Sequence, residues 1–328
     1  MLIQHAANIA INARRLAGIF ICALALLIQG CATPPQTAAL RIENNTDLPQ
    51  YFEIETVPYF AQEAHQCGPA ALAMALGGNG VNVAPEQLEP QIYLPGKQGS
   101  LQIEMLAATR RNGLMAYELP PQLRELLIEV AAGKPVIVLQ NLSFNWYPVW
   151  HYAVVIGYDL DRAEIILRSG PERRQLLAMA TFERTWARGN YWALLPLPAG
   201  VMPQNANENR YLTATVALEQ THQLTAANTA YTAAIQRWPD NLAALIGLGN
   251  IAYTRDNFAD AEKLFLTASQ QHPDAAVAFN NLADVLARQK KYSAALKAAQ
   301  QAVKLGGVNS DVFAQTLQEI EEKIKSAH

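Results

Sequence analysis

The chain contains little cysteine and little charge. Only three cysteines occur in 328 residues, and Lys, Arg, Asp and Glu together make up 16% of the chain. So few cysteines exclude a disulfide-rich scaffold, and no Cys/His cluster has the spacing of a metal site, so we expect neither a metal nor another cofactor. The formal net charge of −3 leaves no basic excess, and the sequence therefore predicts no nucleic-acid partner.

The N-terminal segment has the features of an export signal. Arg14 and Arg15 precede an apolar stretch, residues 16–27, that is too short to span a bilayer. The sequence Leu-Ile-Gln-Gly-Cys that ends at Cys31 resembles a bacterial lipobox. We expect residues 1–30 to be a lipoprotein signal peptide, with the lipid as the only contact with a membrane. An ordinary signal peptide cut elsewhere, or a retained anchor, stays open.

The residues after the predicted lipidation site bear on location and redox state. The residue after Cys31 is Ala32 and not Asp, which resembles the pattern of lipoproteins sorted to the outer membrane. The expected location is therefore the periplasmic face of the outer membrane of a Gram-negative bacterium. Residues 31–54 are expected to form a flexible tether. Removal of Cys22 and lipidation of Cys31 would leave Cys67 without an intramolecular disulfide partner.

Cys67 stands at the start of a strongly helix-forming run. Pro69 suits a first helical turn, residues 70–76 are all Ala, Leu or Met, and a glycine pair at 77–78 ends the run. A helix N-terminus favours the thiolate, so the sequence predicts a lowered pKa for this cysteine. Gln62 can join the Cys67 N–H in an oxyanion hole. A buried structural cysteine is the alternative interpretation.

A histidine that can act as a base follows much later in the chain. His151 opens the apolar run His-Tyr-Ala-Val-Val-Ile-Gly-Tyr, which predicts a strand, and a second strand over 164–167 follows a short turn. A cysteine on a helix followed by a histidine on a sheet is the order of papain-like cysteine peptidases. In those enzymes the base is a neighbour of the nucleophile in space and not in sequence.

Residues 55–197 resemble the peptidases that trim double-glycine leaders from bacteriocin precursors, and specifically their stand-alone periplasmic relatives. The segments Cys-Gly-Pro-Ala-Ala-Leu and Trp-His-Tyr-Ala-Val-Val-Ile-Gly-Tyr carry this resemblance. It implies an α+β papain-like cysteine peptidase domain with Cys67 as the nucleophile and His151 as the base. It also implies cleavage of a peptide or protein substrate after small residues such as Gly-Gly.

The chain departs from the family pattern at the third catalytic residue. The family has an Asp in the strand after the His, whereas residues 166–170 read Ile-Leu-Arg-Ser-Gly. In the predicted hairpin, residues 169–172 lie near His151, so Ser169, Glu172 or a backbone carbonyl can orient the imidazole. We therefore predict an active cysteine peptidase with a degenerate triad. A catalytically weak or inactive binding scaffold is the alternative.

The residues that flank the two catalytic candidates are predicted to form a substrate cleft. The aromatic segment 141–150 directly precedes His151, so Trp146 and Trp150 are expected in the cleft wall, with core packing as the alternative. His65 lies two residues before the cysteine and is placed in the cleft, not beside the thiol.

The C-terminal third of the chain repeats with a period of 34 residues, visible from Pro239 to Pro273. This period predicts three tetratricopeptide-like repeats over 208–307 and a capping helix over 308–328, together an all-α solenoid. The groove of such an array is expected to bind a protein partner, or else the array braces the peptidase. Residues 198–207 are predicted to be a linker that lets the preceding domain fold alone.

Overall fold

The computed structural model describes residues 33–42, 47–61, 66–97 and 99–326. The predicted signal peptide and the candidate residues Cys31, Gln62 and His65 lie outside the described residues. None of the described helices is long and apolar enough to cross a bilayer.

The N-terminal region consists of short helices packed on a sheet. Its helices and strands in chain order are α1 (Pro35–Ile42), β1 (Tyr51–Glu53), α2 (Cys67–Gly78), α3 (Pro85–Ile92), β2 (Tyr93–Leu94), β3 (Gly99–Ser100), α4 (Gln102–Arg111), β4 (Leu114–Glu118), α5 (Leu123–Ala131), β5 (Val136–Asn141), β6 (Trp150–Asp159), β7 (Glu164–Ser169), β8 (Glu172–Ala178), α6 (Met179–Ala187) and β9 (Ala193–Pro198).

The C-terminal region is all-helical. Its helices are α7 (Glu208–Gln220), α8 (Leu224–Arg237), α9 (Leu242–Thr254), α10 (Phe258–Gln271), α11 (Ala276–Arg288), α12 (Tyr292–Leu305) and α13 (Ser310–Ser326). Successive helices pack as pairs, and α13 covers the last pair. This is the predicted order of α+β domain and helical array.

Within the described residues, one antiparallel sheet has the strand order β4-β9-β5-β6-β7-β8, and β1 pairs with the far end of β6. The apolar strand β5 lies between β9 and β6. β6 pairs with β5 over residues 150–155 and with β7 over residues 154–159, so its first residues are held by β5 alone. His151, near its first residue, lies opposite Gln140.

Helix α2 is buried on all sides because it consists almost entirely of Ala, Leu, Met and Gly. Residues 68–76 are buried, and the helix packs against β6 and α3. The predicted helix start at Cys67 is confirmed. A Cβ added at Gly68 would lie 2.3 Å from the Oγ of Ser100, so the close approach of α2 to β3 requires glycine at this position.

Residues 35–42 are helical and packed, which contradicts the prediction of a flexible tether. Helix α1 contacts α5 and α6, and its Thr37 and Leu40 side chains are buried. The fully buried Glu183 of α6 accepts hydrogen bonds from the Gln36 and Thr37 N–H groups, at 2.9 and 2.5 Å, and from the Thr37 hydroxyl at 2.6 Å. A distant carboxylate therefore satisfies the free N–H groups of the first helical turn.

The helical array shares its core with the sheet. Helix α7 packs on β4, and one cluster of buried apolar residues runs from the sheet through Tyr211 of α7 and Tyr231 of α8. The predicted linker is held by the ion pair of Glu129 and Lys134. The buried Glu129 carboxylate accepts a hydrogen bond from the Gln204 N–H, and the Lys134 ammonium donates one to the Met202 carbonyl. This packing argues against the expectation that the N-terminal domain folds alone.

Candidate active site

The candidate nucleophile lines a cavity. Cys67 is the first residue of α2, is half-buried and has a free thiol. It lines a cavity of about 1040 Å³ together with His151. The cavity is lined by residues of α2, the β3–α4 segment, the loop between β5 and β6, and the turn after α6: Cys67, Lys97, Gly99, Ser100, Leu101, Gln102, Leu139, Tyr147, Pro148, Val149, Trp150, His151, Tyr152, Gly170, Gly189 and Asn190.

Burial raises the pKa of the Cys67 thiol above its ordinary value. The backbone N–H groups of Tyr152, Gly68 and Cys67 itself favour the thiolate and so act in the opposite direction, but burial is the larger effect. The direction of this shift is opposite to the lowered pKa that the sequence predicts. The helix N-terminus is where the sequence placed it, but packing around the thiol reduces its contact with water, which disfavours the thiolate.

His151 is held by a hydrogen bond from the neighbouring strand. Its Nε2 lies 2.8 Å from the Oγ of Ser169 at the end of β7, and Ser169 is buried. Burial lowers the pKa of His151 below its ordinary value, so the ring is neutral at pH 7. With Nε2 bonded to the hydroxyl, Nδ1 remains for a second partner on the cavity side.

The structure distinguishes the two candidates for the third role. The β6–β7 hairpin turns over residues 160–163, and a register shift near Gly157 brings Ser169 into range of His151. Glu172 pairs with Ser169 across the next turn and is exposed to solvent. Among the described residues, the hydrogen bond to the imidazole comes from Ser169 and not from Glu172.

The aromatic loop between β5 and β6 is divided between cavity and surface. Trp150 lines the cavity, whereas Trp146 lies outside it and is 81% exposed. The buried Asn141 fixes the loop, since its Oδ1 accepts hydrogen bonds from the Ser143 and Val149 N–H groups, both at 3.0 Å. The core-packing alternative therefore does not apply to Trp146.

Two residues of the site carried no signal in the sequence. The Tyr152 hydroxyl donates to the Ser100 carbonyl at 3.2 Å and ties β6 to β3 across the cavity. The Ser100 Oγ is buried without a hydrogen-bond partner. Both residues are brought to Cys67 by strand pairing and helix packing, which a linear sequence does not display.

The described residues contain no group of three or more His, Cys, Asp or Glu side chains placed to hold a metal ion. Of the cavity residues, Lys97 is the one with a permanent charge, and it is exposed. The arrangement is thus a thiol and a neutral imidazole in a weakly charged cleft, which is suited to nucleophilic acyl transfer.

Comparison with known families assigns both regions of the chain. Residues 54–193 match the model of the Peptidase_C39 like family. Residues 218–279 and 250–309 match two tetratricopeptide repeat models. The resemblance inferred from the sequence is confirmed: a C39-like peptidase domain is followed by tetratricopeptide repeats.

Several solved structures align with parts of this chain. A protein from Bacillus anthracis, described as a C39-like peptidase, aligns with a TM-score of 0.39 and 18% identity over 45% of this chain and 98% of its own. The TPR2B domain of yeast Sti1, in complex with pHsp70, aligns with a TM-score of 0.34 and 16% identity over 35% and 97%. YrrB, described as a TPR protein with an unusual peptide-binding site, aligns with a TM-score of 0.32 and 21% identity over 35% and 58%. No curated protein matches the chain.

Proposed function

Because the chain carries a C39-like peptidase domain followed by tetratricopeptide repeats, we propose that it is a cysteine endopeptidase that cleaves peptide or protein substrates. The observation that carries the proposal is the placement of His151. Its Nε2 is bonded to the buried Ser169, while the ring lines the same cavity as the thiol at the start of α2. A nucleophile, a base and a group that orients the base are the parts that acyl transfer needs.

The chemistry begins with a neutral pair. Since burial raises the pKa of the Cys67 thiol and lowers that of the His151 imidazole, thiol and imidazole are both uncharged at rest. As the sulfur attacks the scissile carbonyl carbon, Nδ1 of His151 takes the thiol proton. In this tautomer the Ser169 hydroxyl accepts the Nε2–H, which leaves Nδ1 as the nitrogen that can take the proton.

The remaining steps return the enzyme to its resting state. The Cys67 N–H, with the Gln62 side chain as the second proposed donor, stabilises the oxyanion of the tetrahedral intermediate. The C–N bond breaks, His151 gives its proton to the leaving amine, and an acyl thioester remains on Cys67. Water, deprotonated by His151, then hydrolyses the thioester and releases the acid product.

The sequence resemblance supports cleavage after small residues such as Gly-Gly. The proposal also includes lipid attachment at Cys31 and a location at the periplasmic face of the outer membrane, both of which depend on the N-terminal sequence.

Tetratricopeptide repeats support binding of a protein partner. In the array, a polar group between α9 and α11 includes the Asn281 amide, which donates to Asn250 at 3.1 Å, and Arg288, which donates to the Tyr253 hydroxyl at 2.8 Å.

A second function is favoured by two observations at the same site. The raised thiol pKa and the neutral hydroxyl of Ser169 in the orienting role both reduce catalytic power relative to a thiolate–imidazolium pair held by a carboxylate. A weakly active or inactive peptidase-like scaffold, with the array as its binding element, is therefore the alternative to the enzyme.

The test compares the full-length protein with Cys67→Ala and His151→Ala. Newly formed N-termini are mapped by mass spectrometry in the proteome of cells that contain each form, and a peptide library reports cleavage in vitro. The enzyme proposal predicts N-termini that depend on both residues. If all three proteins give the same set of N-termini and none cleaves the peptide library, the chain is a scaffold without peptidase activity.

A further inference from the structure

The mouth of the cavity exposes an unusual amount of apolar surface. Leu101, which precedes α4, and Ile103 in its first turn are 43% and 59% exposed. The loop between β5 and β6, together with the first residue of β6, exposes six large apolar side chains, namely Leu142, Phe144, Trp146, Tyr147, Val149 and Trp150. We call these eight side chains the apolar rim. Exposed apolar surface gathered at one place marks an interaction site, whereas single exposed residues do not.

The rim is continuous with the cavity. Four rim residues, Leu101, Tyr147, Val149 and Trp150, line the same cavity as Cys67. The loop tip extends this surface, because the rings of Phe144 and Trp146 stack at 5.6 Å and the Trp146 ring lies 6.2 Å from that of Tyr147. A connected group of aromatic rings therefore adjoins the cavity that contains the thiol.

The loop is held by internal hydrogen bonds and is uncharged, which favours binding of apolar groups. Besides the two bonds to Asn141, the Leu142 N–H donates to the Val149 carbonyl at 2.8 Å and the Tyr147 N–H to the Phe144 carbonyl at 3.1 Å. The Nε of Arg188, the residue that follows α6, donates to the Asn141 carbonyl at 3.1 Å. Residues 141–150 contain no Asp, Glu, Lys or Arg. A surface held in its binding conformation loses little conformational entropy when it binds.

We propose that the apolar rim binds extended segments of unfolded polypeptide through their large apolar side chains and delivers them to the cavity. Large apolar side chains are mostly buried in folded proteins, so an unfolded chain offers many more of them to such a surface than a native protein does. Continuity of the rim with the candidate nucleophile favours a polypeptide over a lipid surface as the occupant. The inference rests on the proposed peptidase function and assigns to it unfolded protein as the substrate class.

The test measures binding and turnover separately. Binding is measured on full-length Cys67→Ala, which cannot turn over, by fluorescence anisotropy of a labelled small secreted protein. One sample is native and disulfide-bonded, and the other is reduced and carboxymethylated and so permanently unfolded. The same assay is applied to Phe144→Ser/Trp146→Ser and to Leu266→Ser in this background. Leu266 is an exposed apolar residue of α10 and serves as the matched control.

The proposal predicts that the unfolded form binds at least about tenfold more tightly than the native form, and that the double variant loses about tenfold or more of this affinity. The control should bind as the parent does. Equal affinity for both forms, or an unaffected double variant with native circular dichroism, would overturn the proposal. So would a double variant that loses binding to neutral phosphatidylcholine vesicles while its binding of unfolded protein is unchanged.

Turnover by the protein with an intact Cys67 reports on the peptidase function alone. If the protein is inactive but still binds unfolded chains through the apolar rim, the proposed peptidase function is refuted and the proposed binding surface is supported. If the protein is an active peptidase that cleaves native and unfolded protein equally well, the proposed role of the rim is refuted and the peptidase function is supported.

Discussion

Replacing Ser169 by alanine removes the hydrogen bond between the Ser169 hydroxyl and Nε2 of His151. The hydroxyl is buried, so water does not readily replace it, and the Nε2–H is left without a partner in a mostly buried site. Loss of a buried hydrogen-bond partner costs about 1–3 kcal/mol. If this cost falls on the transition state, kcat/KM decreases by about 5- to 150-fold.

The size of this effect distinguishes a neutral orienting group from a charged one. Removal of a carboxylate that orients a catalytic histidine lowers kcat by about 10⁴. A hydroxyl contributes no charge to stabilise the imidazolium, so the smaller range applies. The loss should appear in kcat with little change in KM, because Ser169 contacts the base and not the substrate.

The assay uses kcat/KM for one fluorogenic peptide across four proteins: the parent, Ser169→Ala, Ser169→Thr and Glu172→Ala. Ser169→Thr keeps the hydroxyl on a strand residue and should retain most activity. Glu172 is exposed on β8, and its replacement should have little effect. Full activity in Ser169→Ala, or a larger loss in Glu172→Ala, would refute the assignment of the orienting role.

Four further predictions follow from the same contacts. Because burial lowers the pKa of His151, kcat/KM should decrease only below pH 6.5, where the base becomes protonated. Because burial raises the pKa of the Cys67 thiol, iodoacetamide should alkylate it slowly at pH 6, and fast alkylation at that pH would contradict the raised pKa. Glu183→Ala should lower the free energy of unfolding by about 2–4 kcal/mol in urea titrations, since it leaves the α1 donors unpaired, and a change below 0.5 kcal/mol would show that α1 is not docked. A chain ending at residue 202 should aggregate or lose cooperative thermal unfolding, because it exposes the core shared with Tyr211; a soluble, stable fragment would restore the separable-domain expectation.

The elements that the sequence predicted are those set by local pattern. The alanine-rich run after Cys67 has no polar face and forms a buried helix, and the β-branched run after His151 forms a strand in the middle of the sheet. The 34-residue period likewise predicted the helical array, because each repeat packs mainly against its neighbours in sequence.

The elements that the sequence did not predict depend on distant partners. Helix α1 docks through Glu183, which lies 146 residues from Thr37, and residues 33–42 alone resemble a tether. β8 is an exposed edge strand with two arginines and little alternation, so it carried no strand signal.

The same distinction applies to the site. Residue types and chain order were enough to select Cys67 and His151, and the hairpin register narrowed the orienting group to a few positions. The sign of the thiol pKa shift depends on how densely α2 is packed, which is a property of the tertiary structure.

The central claim is that Cys67 attacks an acyl carbon while His151 acts as its base. Intact-protein mass spectrometry after brief mixing with a peptide p-nitrophenyl ester tests it directly. The account predicts a mass increase equal to one acyl group on the parent protein, mapped to Cys67, absent in Cys67→Ala and formed much more slowly in His151→Ala. Absence of the adduct from the parent protein, or formation at the same rate without His151, would contradict it.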